Sequence, residues 1–308
     1  MTRHLLDLAC LGPRGLADLL LLAEEVKTHP REARYADALK GRTLGMLFHK
    51  ASTRTRISFE VAMNQLGGSA LLISTKDSQL GRGESVADTA RTLSRYLDGL
   101  MIRTFEDERL AEWAEHATIP IINGLTDLHH PCQAVADLLT VKERFGTVQG
   151  VSMAYVGDGN NVAHSLMEAA ALSGMDLRVA TPQGYEPDAE VSRRVRELCA
   201  EGGGRVTVTT DPKAAVDGVR AVYTDVWASM GQEEEKARRE RDFAGFQVDD
   251  TLLAGAAGDA IFMHCLPAYR GLEVSAGVMD GLRSAVFDQA ENRLHAQKAV
   301  LLTLLVGG

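Results

Sequence analysis

The chain has 308 residues, of which 45% are hydrophobic and 24% charged, and its 33 basic and 42 acidic side chains leave a formal net charge of −9. This composition is typical of a globular protein, and the length suits two α/β domains. The acidic balance argues against a broad surface for nucleic acid or anionic membranes. Because the longest apolar run is too short to span a bilayer and the first residues lack a signal-peptide pattern, a cytoplasmic location is expected.

The four cysteines, Cys10, Cys132, Cys199 and Cys265, are widely scattered in the sequence. They form no Cys-x-x-Cys pair, and no group of histidines and cysteines occurs at zinc-binding spacing. The sequence therefore predicts neither a disulfide framework nor a structural metal.

Short β-rich runs alternate with longer amphipathic segments along the chain. Ten runs are predicted strands: TLGMLF (Thr43–Phe48), SALLIS, GLMIR, IPIIN, VSMAYVG, DLRVAT, RVTVTT, AVYTDV, AIFMHC and AVFD. Short apolar strands separated by helices favour parallel sheets that are buried on both faces. Their division into two groups predicts an α/β protein of two Rossmann-like domains, each a parallel sheet flanked by helices, joined by interdomain helices.

A helix beginning at Pro131 is the predicted joint between the domains. Proline suits the first turn of a helix, and Gly146 is expected to end this one. The predicted domains are residues 1–133 and residues 134–289, and a C-terminal helix over residues 290–308 completes the first of them.

The run HKASTRTR, which follows the first predicted strand, combines hydroxyl groups with positive charge. If Ser52 or Thr53 caps the next helix, hydroxyls, backbone N–H groups and the helix dipole converge on one point. Arg54 and Arg56 make that point a predicted phosphate site, at the carboxyl end of a strand, where open α/β sheets bind ligands. A solvated helix start is the alternative. Of the two arginines, Arg54 is expected to bind the ligand and Arg56 to hold the loop.

The segment GDGNN (Gly157–Asn161) also follows a predicted strand, as the glycine-rich turn of a dinucleotide-binding fold does. It lacks the G-x-G-x-x-G spacing, and no clear ribose-binding acid follows it. A dinucleotide-dependent dehydrogenase is therefore the weaker interpretation.

Six segments in order resemble the ornithine carbamoyltransferases of the aspartate/ornithine carbamoyltransferase superfamily: STRTR, HPCQ, GDGNN, DVWASMGQEEEK, HCLP and ENR. Each segment alone is weak evidence for the family, but six segments in this order over the whole chain are specific for it. The resemblance implies transfer of the carbamoyl group of carbamoyl phosphate to the δ-amine of L-ornithine, giving L-citrulline and phosphate, in arginine biosynthesis or a urea-cycle-type step. It also implies direct attack by the amine, no metal or organic cofactor, and a homotrimer or a multiple of trimers.

The resemblance further implies the roles of individual residues. Carbamoyl phosphate binding falls to Ser52, Thr53, Arg54, Thr55, Gln79, Arg103, His130, Gln133, Cys265, Leu266 and Arg293. Ornithine binding falls to Asn161, Asp225, Ser229 and Met230. Arg103, His130 and Cys265 are the predicted catalytic residues, with Cys265 positioning the amine and handling protons. Gln79 lies in a loop that is expected to reach the site of a neighbouring subunit.

Residue types alone support some of these roles less well. An arginine after a strand, such as Arg103, is usually exposed. A cysteine after an apolar strand, such as Cys265, is typical of an inert buried thiol, and His129 is expected at the surface.

Putrescine or an N-acylated ornithine stays open as the amine substrate, whereas aspartate is disfavoured because its second carboxylate needs further cationic groups. A binding or regulatory protein that had lost its activity would show gaps among five residues, and the sequence has all of them: Arg54, Arg103, His130, Asp225 and Cys265.

Overall fold

The computed structural model describes residues 4–30, 32–74, 83–228 and 235–306. The chain divides into two compact units, one of Met1–Ala136 with Arg293–Gly308 and the other of Asp137–Asn292. Helices α6 (Pro131–Phe145) and α13 (Val286–Leu305) contribute residues to both units. None of the helices in the described ranges has the length and apolar character needed to cross a bilayer.

The first unit is built on a parallel sheet. Its strands are β1 (Thr43–Phe48), β2 (Ser69–Ser74), β3 (Gly99–Arg103) and β4 (Ile121–Leu125), in the spatial order β2-β1-β3-β4. Its other helices are α1 (Gly12–Thr28), α2 (Ala33–Ala36), α3 (Thr53–Gln65), α4 (Val86–Leu93) and α5 (Asp107–His116), and residues Ala9–Leu11 form a 3-10 turn. The chain runs from β1 outward to β2 and then crosses to β3, so that the strand order reverses between β1 and β3. Such a reversal point is where open α/β sheets bind ligands.

Apolar side chains hold the helices of this unit against its sheet. Residues of β1, β3 and β4 pack with residues of α4 and α5 in one cluster, in which Trp113 is fully buried. Every residue of β3 is buried, as expected for a central strand of a parallel sheet. The edge strand β2 instead leaves Leu71 and Leu72 exposed.

The second unit repeats the architecture. Its strands are β5 (Ser152–Val156), β6 (Asp176–Ala180), β7 (Arg205–Thr209), β8 (Ala221–Thr224) and β9 (Ile261–His264), in the parallel order β7-β6-β5-β8-β9. Its other helices are α7 (Asn161–Ser173), α8 (Ala189–Gly202), α9 (Pro212–Val216), α10 (Lys236–Asp242), α11 (Asp250–Leu253) and α12 (Ala276–Met279). The strand order reverses between β5 and β8, which creates a second ligand-binding position at the carboxyl ends of these strands.

The predicted α/β class and the two parallel sheets are confirmed, but the tenth predicted strand is wrong. The run AVFD lies at the start of α13, and Ser284, just before it, forms an isolated parallel bridge with Phe262. A short apolar run at the start of a helix cannot be told from a strand by periodicity alone. The helix from Pro131 and its end at Gly146, which has a φ of 76°, are confirmed.

Candidate active site

The amino end of α3 lies directly beyond β1. Ser52 has an extended backbone, and its hydroxyl oxygen accepts a hydrogen bond from the Thr55 backbone N–H at 3.2 Å, so Ser52 is the helix cap. Thr53, Arg54 and Thr55 form the first turn, at the positive end of the helix dipole. Arg56 is exposed, and its side chain lies 3.8 Å from Glu60 one turn further along the helix.

Arg103 and His130 follow the neighbouring strands of the same sheet. Arg103 is the last residue of β3, with Phe48 of β1 and Leu125 of β4 on either side, and only 8% of it is exposed. The expectation that such an arginine faces solvent is therefore wrong, because its strand is central and not at an edge. His130 immediately precedes α6 and is also buried.

Arg293 of α13 joins the starts of two helices. Its Nη1 atom donates to Oε1 of Gln133 in the first turn of α6 at 2.8 Å, and its Nη2 atom donates to Oγ1 of Thr55 in α3 at 3.0 Å. All three side chains are buried. The planar guanidinium thus fixes two sequence-distant segments relative to each other while its positive charge stays inside the unit.

The charges around His130 determine its protonation. Burial, followed by the positive charges of Arg293, Arg103 and Arg54, holds the pKa of His130 well below its usual value of 6.5. The imidazole is therefore neutral at pH 7 and can donate one hydrogen bond to a ligand. Three arginine charges acting on one buried imidazole make this region of the first unit strongly favourable for an anion.

Asp107 holds the turn before His130. Its carboxylate accepts hydrogen bonds from the Thr126 hydroxyl at 2.7 Å and the Leu128 backbone N–H at 3.1 Å, and it pairs with Nδ1 of His129 at 2.9 Å. His129 is only 8% exposed, so the prediction that it lies at the surface is wrong. No spacing rule predicts a contact between two residues that lie 22 positions apart in the sequence.

Replacing Asp107 with asparagine is expected to weaken inorganic phosphate binding about tenfold, because an amide N–H would face the donors of the turn and displace His130. Calorimetric titration with phosphate measures this effect. Asp98→Asn is the matched control, since Asp98 accepts a hydrogen bond from the Thr43 backbone N–H at the opposite end of the sheet. Equal losses in the two variants would contradict a local role for Asp107.

In the second unit, Asn160 and Asp225 lie beyond the two strands where the order reverses. Asn160 caps α7 by accepting from the backbone N–H groups of Val162 and Ala163 through Oδ1. Its Nδ2 atom donates to Oδ2 of Asp225 at 2.9 Å. Asp225 follows β8 and is buried, and Asn161 is the first residue of α7. One asparagine thus begins a helix and orients a carboxylate.

Cys265 completes this group from the end of β9. Its thiol donates to Oδ1 of Asp225 at 3.0 Å. Burial, followed by the negative charge of Asp225, raises the pKa of Cys265 well above its usual value of 9.0. The residue is therefore a protonated hydrogen-bond donor at neutral pH and a poor nucleophile. The backbone of Leu266, next in sequence, has a φ of 60°, which is uncommon for a residue other than glycine.

His264 and Glu273 support the segment that carries Cys265. Nδ1 of His264 accepts from the Leu266 backbone N–H at 2.8 Å, and Nε2 faces Oε1 of Glu273 at 3.1 Å, with both side chains buried. Asp225, His264 and Cys265 offer atoms within 4.8 Å of one another that could bind a metal. Since each imidazole nitrogen already has a partner and the thiol hydrogen faces Asp225, the arrangement favours hydrogen bonding over metal ligation.

Gly159 shows why GDGNN does not form a pyrophosphate cradle. A Cβ atom at this residue would lie 2.4 Å from the Pro187 backbone nitrogen and 2.6 Å from the Tyr185 carbonyl oxygen. The glycine is needed because the protein's own backbone approaches it closely, whereas the motif glycines of a dinucleotide fold admit the pyrophosphate. This packing argues further against the dehydrogenase interpretation.

Asp158, in the same turn, forms a buried ion pair with Arg239 of α10 at 2.9 Å. Burial raises the pKa of Asp158 to about 6, although the charge of Arg239 opposes this shift. Arg239 also donates to the carbonyl oxygen of Trp227 at 2.8 Å. The pair therefore connects the turn that begins α7 with the residues that follow Asp225.

The predicted site residues thus fall into two groups, one in each unit. The first unit contains Ser52, Thr53, Arg54, Thr55, Arg103, His130, Gln133 and Arg293, and the second contains Asn161, Asp225, Cys265 and Leu266. Gln79, Ser229 and Met230 lie outside the described residues. The sequence interpretation missed Asn160, although it stands inside the quoted motif GDGNN and asparagine is a preferred helix cap.

Comparison with known proteins places these groups in context. Residues 3–143 match a family model described as the carbamoyl-P binding domain of aspartate/ornithine carbamoyltransferase, and residues 149–304 match its Asp/Orn binding domain. The ornithine carbamoyltransferase of Symbiobacterium thermophilum is 59% identical over 290 residues, which cover 94% of each chain. That of Pelobacter propionicus is 55% identical over 307 residues and covers 100% of both.

Solved structures of ornithine carbamoyltransferases are also similar to this chain. The ornithine carbamoyltransferase from Pyrococcus furiosus superposes with a TM-score of 0.95 at 51% sequence identity, covering 100% of this chain and 98% of that one. The ornithine carbamoyltransferase from Gloeobacter violaceus superposes with a TM-score of 0.89 at 49% identity, covering 98% of each chain.

Proposed function

The chain belongs to the aspartate/ornithine carbamoyltransferase family, and we propose that the first unit binds carbamoyl phosphate and the second binds L-ornithine. The chain transfers the carbamoyl group of carbamoyl phosphate to the δ-amine of L-ornithine, which yields L-citrulline and phosphate. The observation that most supports the carbamoyl phosphate assignment is the buried, neutral His130 surrounded by the charges of Arg293, Arg103 and Arg54.

Carbamoyl phosphate has a dianionic end and a carbonyl to be attacked. We assign the phosphate to Ser52, Thr53, Arg54 and Thr55, where the first turn of α3 supplies N–H donors and Arg54 supplies charge. Arg103 and His130 then donate to the carbonyl oxygen, on which negative charge develops in the transition state. Gln133 addresses the carbamoyl nitrogen, and Arg293 holds Gln133 and Thr55 in place.

Ornithine requires an acceptor for its α-ammonium, donors for its α-carboxylate and a place for its δ-amine. Asp225 is oriented by Asn160 to accept from the α-ammonium, and Asn161 binds the amino-acid head. The family resemblance predicts that Ser229 and Met230 also bind ornithine and that Gln79 also binds carbamoyl phosphate. The Cys265 thiol and the Leu266 carbonyl serve the reacting δ-amine, and the resemblance also assigns both to carbamoyl phosphate.

The reaction begins when the neutral δ-amine attacks the carbonyl carbon and forms a C–N bond. The carbonyl oxygen gains negative charge, which Arg103 and His130 stabilise. Collapse of this intermediate breaks the bond between the carbonyl carbon and the phosphate oxygen, and the proton that the nitrogen loses passes to the departing phosphate. Phosphate leaves with the electron pair of the broken bond, and the positive charge of Arg54 stabilises it.

A citrulline assay with carbamoyl phosphate tests the proposed substrate. Ornithine is expected to be used in preference to putrescine, N-acetylornithine and aspartate, each tested at the same concentration. Turnover of putrescine or N-acetylornithine without turnover of ornithine would change the proposed amine substrate but not the proposed reaction class. No citrulline or carbamoylated product with any amine would contradict the proposed reaction.

The pH dependence of kcat/KM for ornithine is expected to rise through the neutral to alkaline range. A free aliphatic ammonium has a pKa of roughly 10, so the neutral amine that attacks becomes more abundant by about tenfold per pH unit. Neither His130, whose pKa lies well below 6.5, nor Cys265, whose pKa lies well above 9.0, changes its charge between pH 7 and pH 9. A flat profile over this range would contradict attack by the free amine.

We further propose that the chain forms a homotrimer or a multiple of trimers, as the family resemblance implies. The observation in support is apolar surface on the first unit, where Ile57 of α3 and Leu71 and Leu72 of the edge strand β2 are exposed. An uncovered apolar edge strand is a common contact surface between chains. Sedimentation equilibrium is expected to give about three times the chain mass of 33.3 kDa, and a monomer would contradict the proposal.

We propose that citrulline formation by this chain serves arginine biosynthesis and takes place in the cytoplasm. Growth of an arginine auxotroph that lacks this activity, with the chain supplied in the cytoplasm and no citrulline added, tests the biosynthetic direction.

A further inference from the structure

The buried ion pair of Asp158 and Arg239 has no assigned role in the reaction. Each of the two residues is only 7% exposed, and Nη1 of Arg239 lies 2.9 Å from Oδ2 of Asp158. We propose that Asp158 and Arg239 are positioning residues that hold Asp225 in place to receive the α-ammonium of ornithine. This inference rests on the proposed role of Asp225 in ornithine binding.

A buried ion pair is a costly way to connect two segments of a chain. Removing two charges from water costs free energy that their mutual attraction often does not recover, so such a pair is weak evidence for a purely stabilising role. The other contacts of Asp158 and Arg239 lead to Asp225 from both sides of the pair.

One guanidinium nitrogen joins Asp158 to the segment that follows Asp225. Nη1 of Arg239 carries two hydrogens, and it has two partners. It lies beside the Asp158 carboxylate, and it donates to the carbonyl oxygen of Trp227 at 2.8 Å. Trp227 stands two residues after Asp225. The guanidinium therefore fixes the backbone just beyond the ornithine-binding carboxylate.

The turn that carries Asp158 holds Asp225 directly as well. The carbonyl oxygen of Asp158 accepts from the Asn160 backbone N–H at 2.8 Å. Nδ2 of Asn160 in turn donates to Oδ2 of Asp225 at 2.9 Å. Asp225 is thus held through its carboxylate by Asn160 and through the Trp227 backbone by Arg239. Fixing a binding group before the ligand arrives lowers the cost of ordering it on binding.

Aromatic side chains surround the guanidinium. Its central carbon lies 5.0 Å from the ring centroid of Tyr185. The ring of Trp227 stacks on Phe243 at a centroid distance of 5.5 Å, and Tyr185 meets Phe243 edge-on at 4.7 Å. Attraction between opposite charges is stronger in such an apolar setting than in water, so Arg239 holds its partners firmly only while Asp158 is ionised.

The ionisation of Asp158 responds to charges on the elements around it. Burial raises the pKa of Asp158 to about 6, the charge of Arg239 on α10 opposes this shift, and the charges of Asp225 and Glu235 add to it. Tyr155 of β5 stays neutral, because burial raises its pKa well above 10.0. Asp158 is therefore ionised at pH 7.5 and mostly protonated at pH 5.

Asp158→Asn removes the charge but keeps the size of the side chain and one acceptor oxygen for Arg239. At pH 7.5, kcat/KM for ornithine is expected to fall about tenfold, while calorimetric binding of inorganic phosphate stays unchanged. At pH 5 the variant and the parent protein are expected to differ only about twofold, because about nine-tenths of Asp158 in the parent is then protonated as well. A purely structural role would not give this dependence on pH.

Glu235→Gln is the matched control. The Glu235 carboxylate lies 3.1 Å from Nε of the same Arg239 guanidinium, but its side chain is 41% exposed, compared with 10% for Asp158. The variant is expected to change kcat/KM for ornithine by less than about twofold. Arg239→Lys is expected to lower it about tenfold at pH 7.5, because an ammonium has no planar fork that reaches both Asp158 and Trp227.

A second readout reports the position of Asp225 without turnover. Iodoacetamide alkylates Cys265 in the ligand-free protein, and peptide mass spectrometry measures the rate. Burial, followed by the charge of Asp225, which accepts from the thiol at 3.0 Å, raises the pKa of Cys265. If Asp158→Asn releases Asp225, that pKa falls by about one unit and the thiolate fraction rises about tenfold. A less basic thiolate is less nucleophilic, so alkylation is expected to be about threefold faster at pH 8.

Three results would overturn the positioning role. They are equal losses of kcat/KM in Asp158→Asn and Glu235→Gln, a tenfold loss in Asp158→Asn that persists at pH 5, and unchanged alkylation of Cys265 in Asp158→Asn. Alkylation does not depend on the amine substrate. Faster alkylation in Asp158→Asn would therefore support the hold on Asp225 even if the citrulline assay showed no use of ornithine.

Discussion

Replacing Arg54 with alanine is expected to weaken carbamoyl phosphate binding by about a hundredfold or more, because a phosphate dianion loses a charged, potentially bidentate donor worth about 3 kcal/mol. Arg54 lies in the first turn of α3, and its positive charge acts on the buried His130. The helix dipole and the first-turn N–H groups remain in the variant, so residual binding is expected and not a complete loss.

Arg56→Ala is the matched control for this experiment. Both arginines belong to the STRTR motif and to α3, but Arg56 is exposed and lies near Glu60 on the helix surface. An exposed pair of this kind contributes little to stability or binding. Calorimetric titration of both variants with inorganic phosphate and carbamoyl phosphate separates the two residues, and unchanged binding in Arg54→Ala would remove Arg54 from the phosphate site.

Much of the first group could be predicted because one local pattern specifies it. A β-strand, a serine cap and a first turn with arginine and threonine occupy one continuous stretch, and their geometry follows from helix capping rules. The position of this stretch at a reversal of strand order follows from the parallel sheet itself. Such local features need no knowledge of the rest of the fold.

The predictions for Arg103 and His129 from residue type alone failed for a common reason. Whether an arginine at the end of a strand is buried depends on whether that strand is central, and β3 is central because β1 and β4 pair on its two sides. Whether His129 is buried depends on Asp107, which begins α5 and reaches the turn from a separate element. Sheet order and long-range pairing are tertiary properties that a single sequence does not specify locally.

The buried hydrogen bonds of Gln289, which donates to the Tyr223 hydroxyl and to Asp137, lie still further from what sequence reasoning can reach. Gln289 stands two residues before the quoted ENR motif, and Tyr223 stands two residues before Asp225, but only the packing of α6 and α13 against β8 and β9 joins them. The same packing bears on the incorrect tenth strand, since it buries Ala285 and Val286 of the run AVFD at the start of α13. Residues that support a site through other residues therefore need the structure.

Replacing Asp225 with asparagine is expected to lower kcat/KM for ornithine by about a hundredfold to a thousandfold, because a buried carboxylate that receives the α-ammonium is lost. The variant keeps the size of the side chain and leaves the first unit unaltered. Inorganic phosphate binding is therefore expected to stay unchanged. Asp176→Asn, which alters a partly buried carboxylate paired with the exposed Arg205, controls for a general loss of stability in the second unit.

The Asp225 variant also changes the chemistry of its neighbour in a measurable direction. The negative charge of Asp225 and its hydrogen bond with the thiol both raise the pKa of Cys265. Asp225→Asn should therefore lower that pKa and speed alkylation of Cys265 at pH 8. Loss of ornithine use together with equal loss of phosphate binding would show that Asp225 maintains structure. Loss of ornithine use alone, with faster alkylation, is the result expected for a carboxylate that both binds the ammonium and holds the thiol protonated.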